Sequence, residues 1–197
     1  MSSALPRLLV LITLIALSGC VTKFKSSDSP DQFYSTSTAI TSLTYQIRST
    51  PVFTAKADLK SIDKSLKNSK LFTSTERYYD ELPPRKGIYI NIEAIYNPPT
   101  VPALVFGYLS VSTLTFLPAW SNHDGHKTTY SIYNNGELVK TFEYDRERFI
   151  ALWLPILPFA WIDLLTDGSY ESFASMTNQF LTDAAPLIAK LAKEPSL

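Results

Sequence analysis

The dipeptide Asn135-Gly136 lies between two runs that alternate apolar and polar residues, Lys127 to Asn134 and Glu137 to Asp145. A two-residue turn joining such runs needs positive φ at both central positions. Asn and Gly tolerate that best, and the pair is the strongest short-range signal for a type I′ hairpin. An ideal turn of this kind sets Ile132 opposite Val139 and Tyr133 opposite Leu138, where cross-strand packing supports the pair. A lone hairpin is marginal in water, so the rest of the chain must supply further strands and a covering layer.

Upstream sequence supplies both. Leu43 to Arg48 alternates as a first strand and Pro51 ends it. Ala55, Leu59, Ile62 and Leu66 then make one apolar stripe of a helix over about Thr54 to Asn68. Leu71 to Tyr79 reads as a second strand. Gly87 to Tyr96 is the clearest strand, with Ile88, Ile90, Ile92 and Ala94 on one side and Tyr89, Asn91 and Glu93 on the other. Asn97-Pro98-Pro99 closes it, because consecutive prolines cannot extend a ladder. Near the C-terminus, Tyr170 to Lys193 carries Phe173, Met176, Phe180, Ala184, Leu187 and Leu191 at helical spacing, and Pro186 is expected to kink or divide that helix. The element order predicts an α+β fold: an antiparallel or mixed sheet of about five strands with two helices on one face, forming a single domain over 43–197.

Two apolar segments interrupt this pattern. No residue between Ala94 and Asn122 carries a formal charge, and Leu104 to Trp120 is the apolar heart of that stretch. As a helix it would reach about 25 Å, short of a hydrocarbon core of about 30 Å. Ala103, Gly107 and Ser110 would then share one side as a small-residue seam. Leu109-Ser110-Val111-Ser112 alternates like a strand instead, so periodicity leaves both readings open. The second segment, Phe149 to Leu165, contains Pro155 and Pro158, which interrupt a straight helix. Leu104, Phe106, Phe116, Trp120, Trp153, Phe159 and Trp161 are the candidates for membrane or partner contact; burial in a soluble core is the competing reading.

The beginning of the chain sets the address. Arg7 precedes the apolar run Leu8 to Leu17, and then come Leu17-Ser18-Gly19-Cys20. A charged start, a short apolar stretch and small residues before a cleavage point describe a secretory signal. The last four residues resemble the lipobox of bacterial lipoproteins. The resemblance covers the first tenth or so of the chain. It implies cleavage between Gly19 and Cys20 and acylation of the Cys20 thiol, with palmitate-type chains. Removing the first 19 of 197 residues would leave 178. Val21, standing where retained enteric members carry aspartate, implies the outer membrane, with the domain facing the periplasm. Each buried acyl methylene contributes about 0.8 kcal/mol and stable anchoring takes about two lipid signals, so the three chains implied by the resemblance would hold the protein permanently. Residues 20–42, polar and rich in Ser and Thr, read as a lipid-anchored tether.

The remaining chemistry is sparse. Cys20 is the single cysteine, so no thiol is left for a disulfide or a thiolate site, and packing alone must hold an exported domain. A residue content 45% hydrophobic makes that feasible. Lysine plus arginine and aspartate plus glutamate are each 18, a balance that excludes nucleic acid as an obvious partner. Lys56, Lys60 and Lys64, four apart on one helical face, are candidates for contact with anionic lipid headgroups. His123-Asp124-Gly125-His126 holds both histidines beside a carboxylate, a weak metal candidate lacking an identifiable third ligand. No nucleophile elbow, phosphate loop or dinucleotide fingerprint occurs, and no cofactor is expected. The expectation is a non-enzymatic outer-membrane lipoprotein that binds an envelope protein or supports envelope structure. A lipid-binding or transport-accessory module is the alternative, and a metal-dependent enzyme the remote one.

Overall fold

The computed structural model describes residues 20–24, 41–49, 56–80, 82–156 and 168–193. Six strands and three helices alternate along them: β1 (Cys20–Phe24), β2 (Thr41–Ser49), α1 (Lys56–Asn68), β3 (Phe72–Arg77), β4 (Ile88–Asn97), α2 (Val101–Ser112), β5 (Ala119–Asn134), β6 (Glu137–Leu152) and α3 (Ser169–Leu191). The strands form one mixed sheet in the order β1-β6-β5-β4-β2-β3. Strand β2 runs parallel to both β3 and β4, with α1 as the crossover that a parallel β2–β3 pair requires. The fold is therefore α+β, with one strand and one helix more than the sequence suggested. The extra strand is β1 and the extra helix is α2.

The chain packs as two compact units, where the sequence reading treats 43–197 as one. The first takes its described residues from segments 1–25, 98–125 and 147–167, the second from 26–97, 126–146 and 168–197. Each of the two long strands of the hairpin contributes residues to both.

The second unit holds the well-packed core. Register sets Leu43 beside Ile88, Tyr45 beside Ile90 and Ile47 beside Ile92. The alternation expected for β4 holds, with Ile88, Ile90, Ile92 and Ala94 all in the core. Ile62 and Leu66 of α1 and Phe173, Met176, Phe180, Ala184 and Ile188 of α3 close over them, spaced three or four apart on their helices. Tyr130 stacks on Phe180 with ring centroids 4.2 Å apart and shares a 2.9 Å hydrogen bond with Thr177. Helix α3 is not divided at Pro186. That residue is solvent-exposed, and flanking packing by Ala185 and Ile188 carries the helix through.

The turn is as expected: Asn135 and Gly136 have φ of 52° and 87°. The pairing beyond it differs. Ser131 meets Thr141, Lys127 meets Glu143 and Asp124 meets Arg148, all pairs one residue out of step with a bare two-residue turn. Ile132 is buried while Val139 is exposed, so these two do not oppose each other on one face. The strands are therefore offset by one residue from the pairing of an ideal two-residue turn. Phe142 and Tyr144 pack against the core.

Candidate functional site

The first unit has an unusual surface. Helix α2 starts at Thr100 with Pro102 in its first turn, where the missing N–H costs nothing. It contains no charged residue. Of the small-residue seam only Ser110 is fully buried; Ala103 and Gly107 are half-buried, and the space beside Gly107 is open. The bulky residues face out: Leu104 is 42% exposed, Phe106 57% and Tyr108 76%, with Val105, Leu109 and Val111 exposed as well. A helix apolar on every side is normally buried. This one is not.

The helix ends in a strained turn. Thr113 Oγ1 donates to the Leu109 carbonyl at 2.9 Å, and Leu114 and Thr115 then adopt φ of 51° and 62°. Positive φ is rare outside glycine and asparagine, and costs most for a β-branched residue such as threonine. Backbone bonds hold the turn: Thr115 N–H donates to the Ser110 carbonyl at 2.7 Å, and Leu154 N–H donates to the Thr115 carbonyl at 2.8 Å. The effect is to put Leu114 and Phe116 on the outside, 74% and 67% exposed. Beyond it, Leu117 and Trp120 wall a shallow apolar concavity of about 430 Å³ with Pro102, Ala103, Phe106 and Leu109.

Strand β1 adds the chain's first described residue to this unit. Cys20 pairs with Leu152 and Phe24 with Arg148, antiparallel. Phe24 is buried, the Arg148 guanidinium lies 5.9 Å from its ring centre, and the same guanidinium donates to Asp124 Oδ2 at 2.7 Å. The strand is thus held to β6 by packing and a cation–π contact, while the ion pair from β5 fixes the guanidinium that Phe24 meets. Residues 20–24 are sheet rather than tether, and residues 25–40 of the expected tether lie outside the described residues.

The other candidates are scattered. Trp153 is 41% exposed in the first unit, directly after β6. Phe159 and Trp161 lie outside the described residues. Lys60 and Lys64 are exposed on α1 in the second unit, where Asp63 bonds Lys67 at 2.8 Å; Lys56 begins that helix. The histidine pair does not assemble into a metal centre: among the described residues no group of three potential ligands lies together. Asp124 belongs to Arg148, His123 is exposed, and His126 is buried against the rings of Tyr96 and Phe173, 3.3 Å from Ser169 Oγ. The left-handed turn at Leu114-Thr115 and the Arg148 clamp were missed from sequence. Neither residue pair has the composition that normally marks such a feature.

No protein-family model matches the chain, and no curated protein matches it. Among solved structures, the PelC dodecamer from Paraburkholderia phytofirmans is similar at a TM-score of 0.35 and 7% identity, over 89% of this chain and 99% of that one. A variant of the same PelC dodecamer gives 0.36 and 9%, over 86% and 99%. Likenesses this distant carry no argument about this chain.

Proposed function

We propose that this protein is a lipoprotein of the bacterial cell envelope whose role is contact rather than catalysis. Acyl chains on Cys20 hold it to the outer membrane on the periplasmic side, and the uncharged surface of the first unit makes its working contact with another envelope component. The observation that carries this reading is the distribution of exposed apolar residues. Outside the first unit, the exposed large hydrophobics among the described residues are Tyr79, Leu82, Leu138 and Val139; all the others, from Val101 to Trp153, belong to the unit that contains Cys20. Patches of that kind mark protein or membrane contacts.

Photo-crosslinking in living cells tests it. A crosslinking residue at Phe106 or Trp120 is expected to give discrete adducts, while the same residue at Leu138 gives few. Equal yields at all three positions would remove the basis for a dedicated contact surface.

A further inference from the structure

We infer that the occupant of this surface is a lipid bilayer: the acylated protein holds α2 and the turn after it in the membrane interface, beside its own anchor. The inference rests on the lipoprotein reading of Cys20 and adds what the apolar surface touches.

Its first support is the missing spacer. Cys20 is itself the first residue of β1, in register with Leu152, and no flexible link separates the anchoring residue from the folded unit. Neighbouring strands lie about 4.8 Å apart. Two residues after Leu152, the Leu154 N–H is bonded to Thr115 in the turn that exposes Leu114 and Phe116. Lipid chains fixed at Cys20 therefore bring the bilayer surface to the unit that carries the apolar helix.

The second support is chemical. A soluble-protein interface normally ends in a polar rim with charged residues such as arginine, whereas no formal charge occurs from Ala94 to Asn122. Within that stretch helix α2 has no charged face, and only its Ser110 is buried. At twelve residues it is about 18 Å long, too short to cross about 30 Å of hydrocarbon. Among the described residues no helix is long and apolar enough to cross a membrane. Partial immersion remains, with Tyr108, Trp120 and Trp153 at the depth aromatic residues favour.

Depth-dependent quenching tests the inference on the mature acylated protein in phosphatidylcholine vesicles. With Trp153→Phe and Trp161→Phe in place, Trp120 is the single indole. Bromine on the acyl chains is expected to quench its emission at least twofold relative to unbrominated lipid. Phe106→Asp combined with Leu109→Asp is expected to reverse most of that quenching, while Leu138→Asp leaves it unchanged. Unchanged emission in brominated lipid, with Cys20 acylation confirmed by mass, would overturn the bilayer inference and leave the lipoprotein reading standing. So would a crosslinker at Phe106 that yields a protein adduct and no lipid adduct. A chain lacking acyl groups would instead defeat the reading on which the inference rests.

Discussion

Asp124 shows how a residue's surroundings override its sequence neighbourhood. Between two histidines it reads as a metal ligand, yet its carboxylate is buried against Arg148, whose partner strand lies some twenty residues away. Removing one member of a buried ion pair strands the other, and typically costs about 3–5 kcal/mol. Asp124→Ala is therefore expected to lower unfolding free energy by about 3 kcal/mol, read from chemical denaturation. Asp124→Ala combined with Arg148→Met should recover part of the loss; no recovery would mean that the stranded guanidinium is not its cause. Thr115 gives the opposite sign. Its positive φ crowds a β-branched side chain, so Thr115→Gly is expected to be neutral or to stabilise by about 1 kcal/mol despite the flexibility glycine adds. A loss above about 1 kcal/mol would show that the threonine side chain supports the turn.

At the level of elements, period-two and helical spacing were legible wherever one face is buried and the other wet. Strand β4 and helices α1 and α3 follow their stripes, because core packing in the second unit selects the same residues that periodicity selects. Helix α2 had no stripe to read: apolar on every side, its sequence fits a helix and a strand equally, and only the seam of Ala103, Gly107 and Ser110 hinted at the answer. The hairpin turn was legible from Asn135-Gly136, but not the one-residue offset of the strands beyond it, since that is set by which face Phe142 and Tyr144 can bury. The buried tyrosines make the second unit sensitive to alkali. Burial pushes the Tyr130 hydroxyl above the ordinary phenol range, and burial together with the bond to Asp63 does the same for Tyr45. The unfolded chain then releases these protons first, so stability is full below about pH 10 and falls as pH rises beyond it. Each such group contributes a slope of about 1.4 kcal/mol per pH unit in that window. Tyr130→Phe, although it loses the bond to Thr177, is expected to flatten the alkaline fall by about one such slope in denaturation curves between pH 9 and 11. An unchanged slope would contradict the assignment.

For the whole molecule, the division of labour follows from where apolar residues go. One unit buries its hydrophobic residues in a core shared by sheet and two helices; the other keeps Leu104, Phe106, Phe116 and Trp120 at its surface and contains the residue proposed to carry lipid. The proposed address rests on Leu17 to Cys20 alone, because an export signal is read as linear sequence. The exposed apolar surface was legible only as an uncharged stretch, since exposure is a property of the packed unit. Mass spectrometry of the native protein's N-terminus tests the account most directly. It predicts a chain beginning at Cys20 and heavier than its 178 residues by the mass of three acyl chains and their glyceryl link; an intact leader, or a Cys20 with a free thiol, would contradict it.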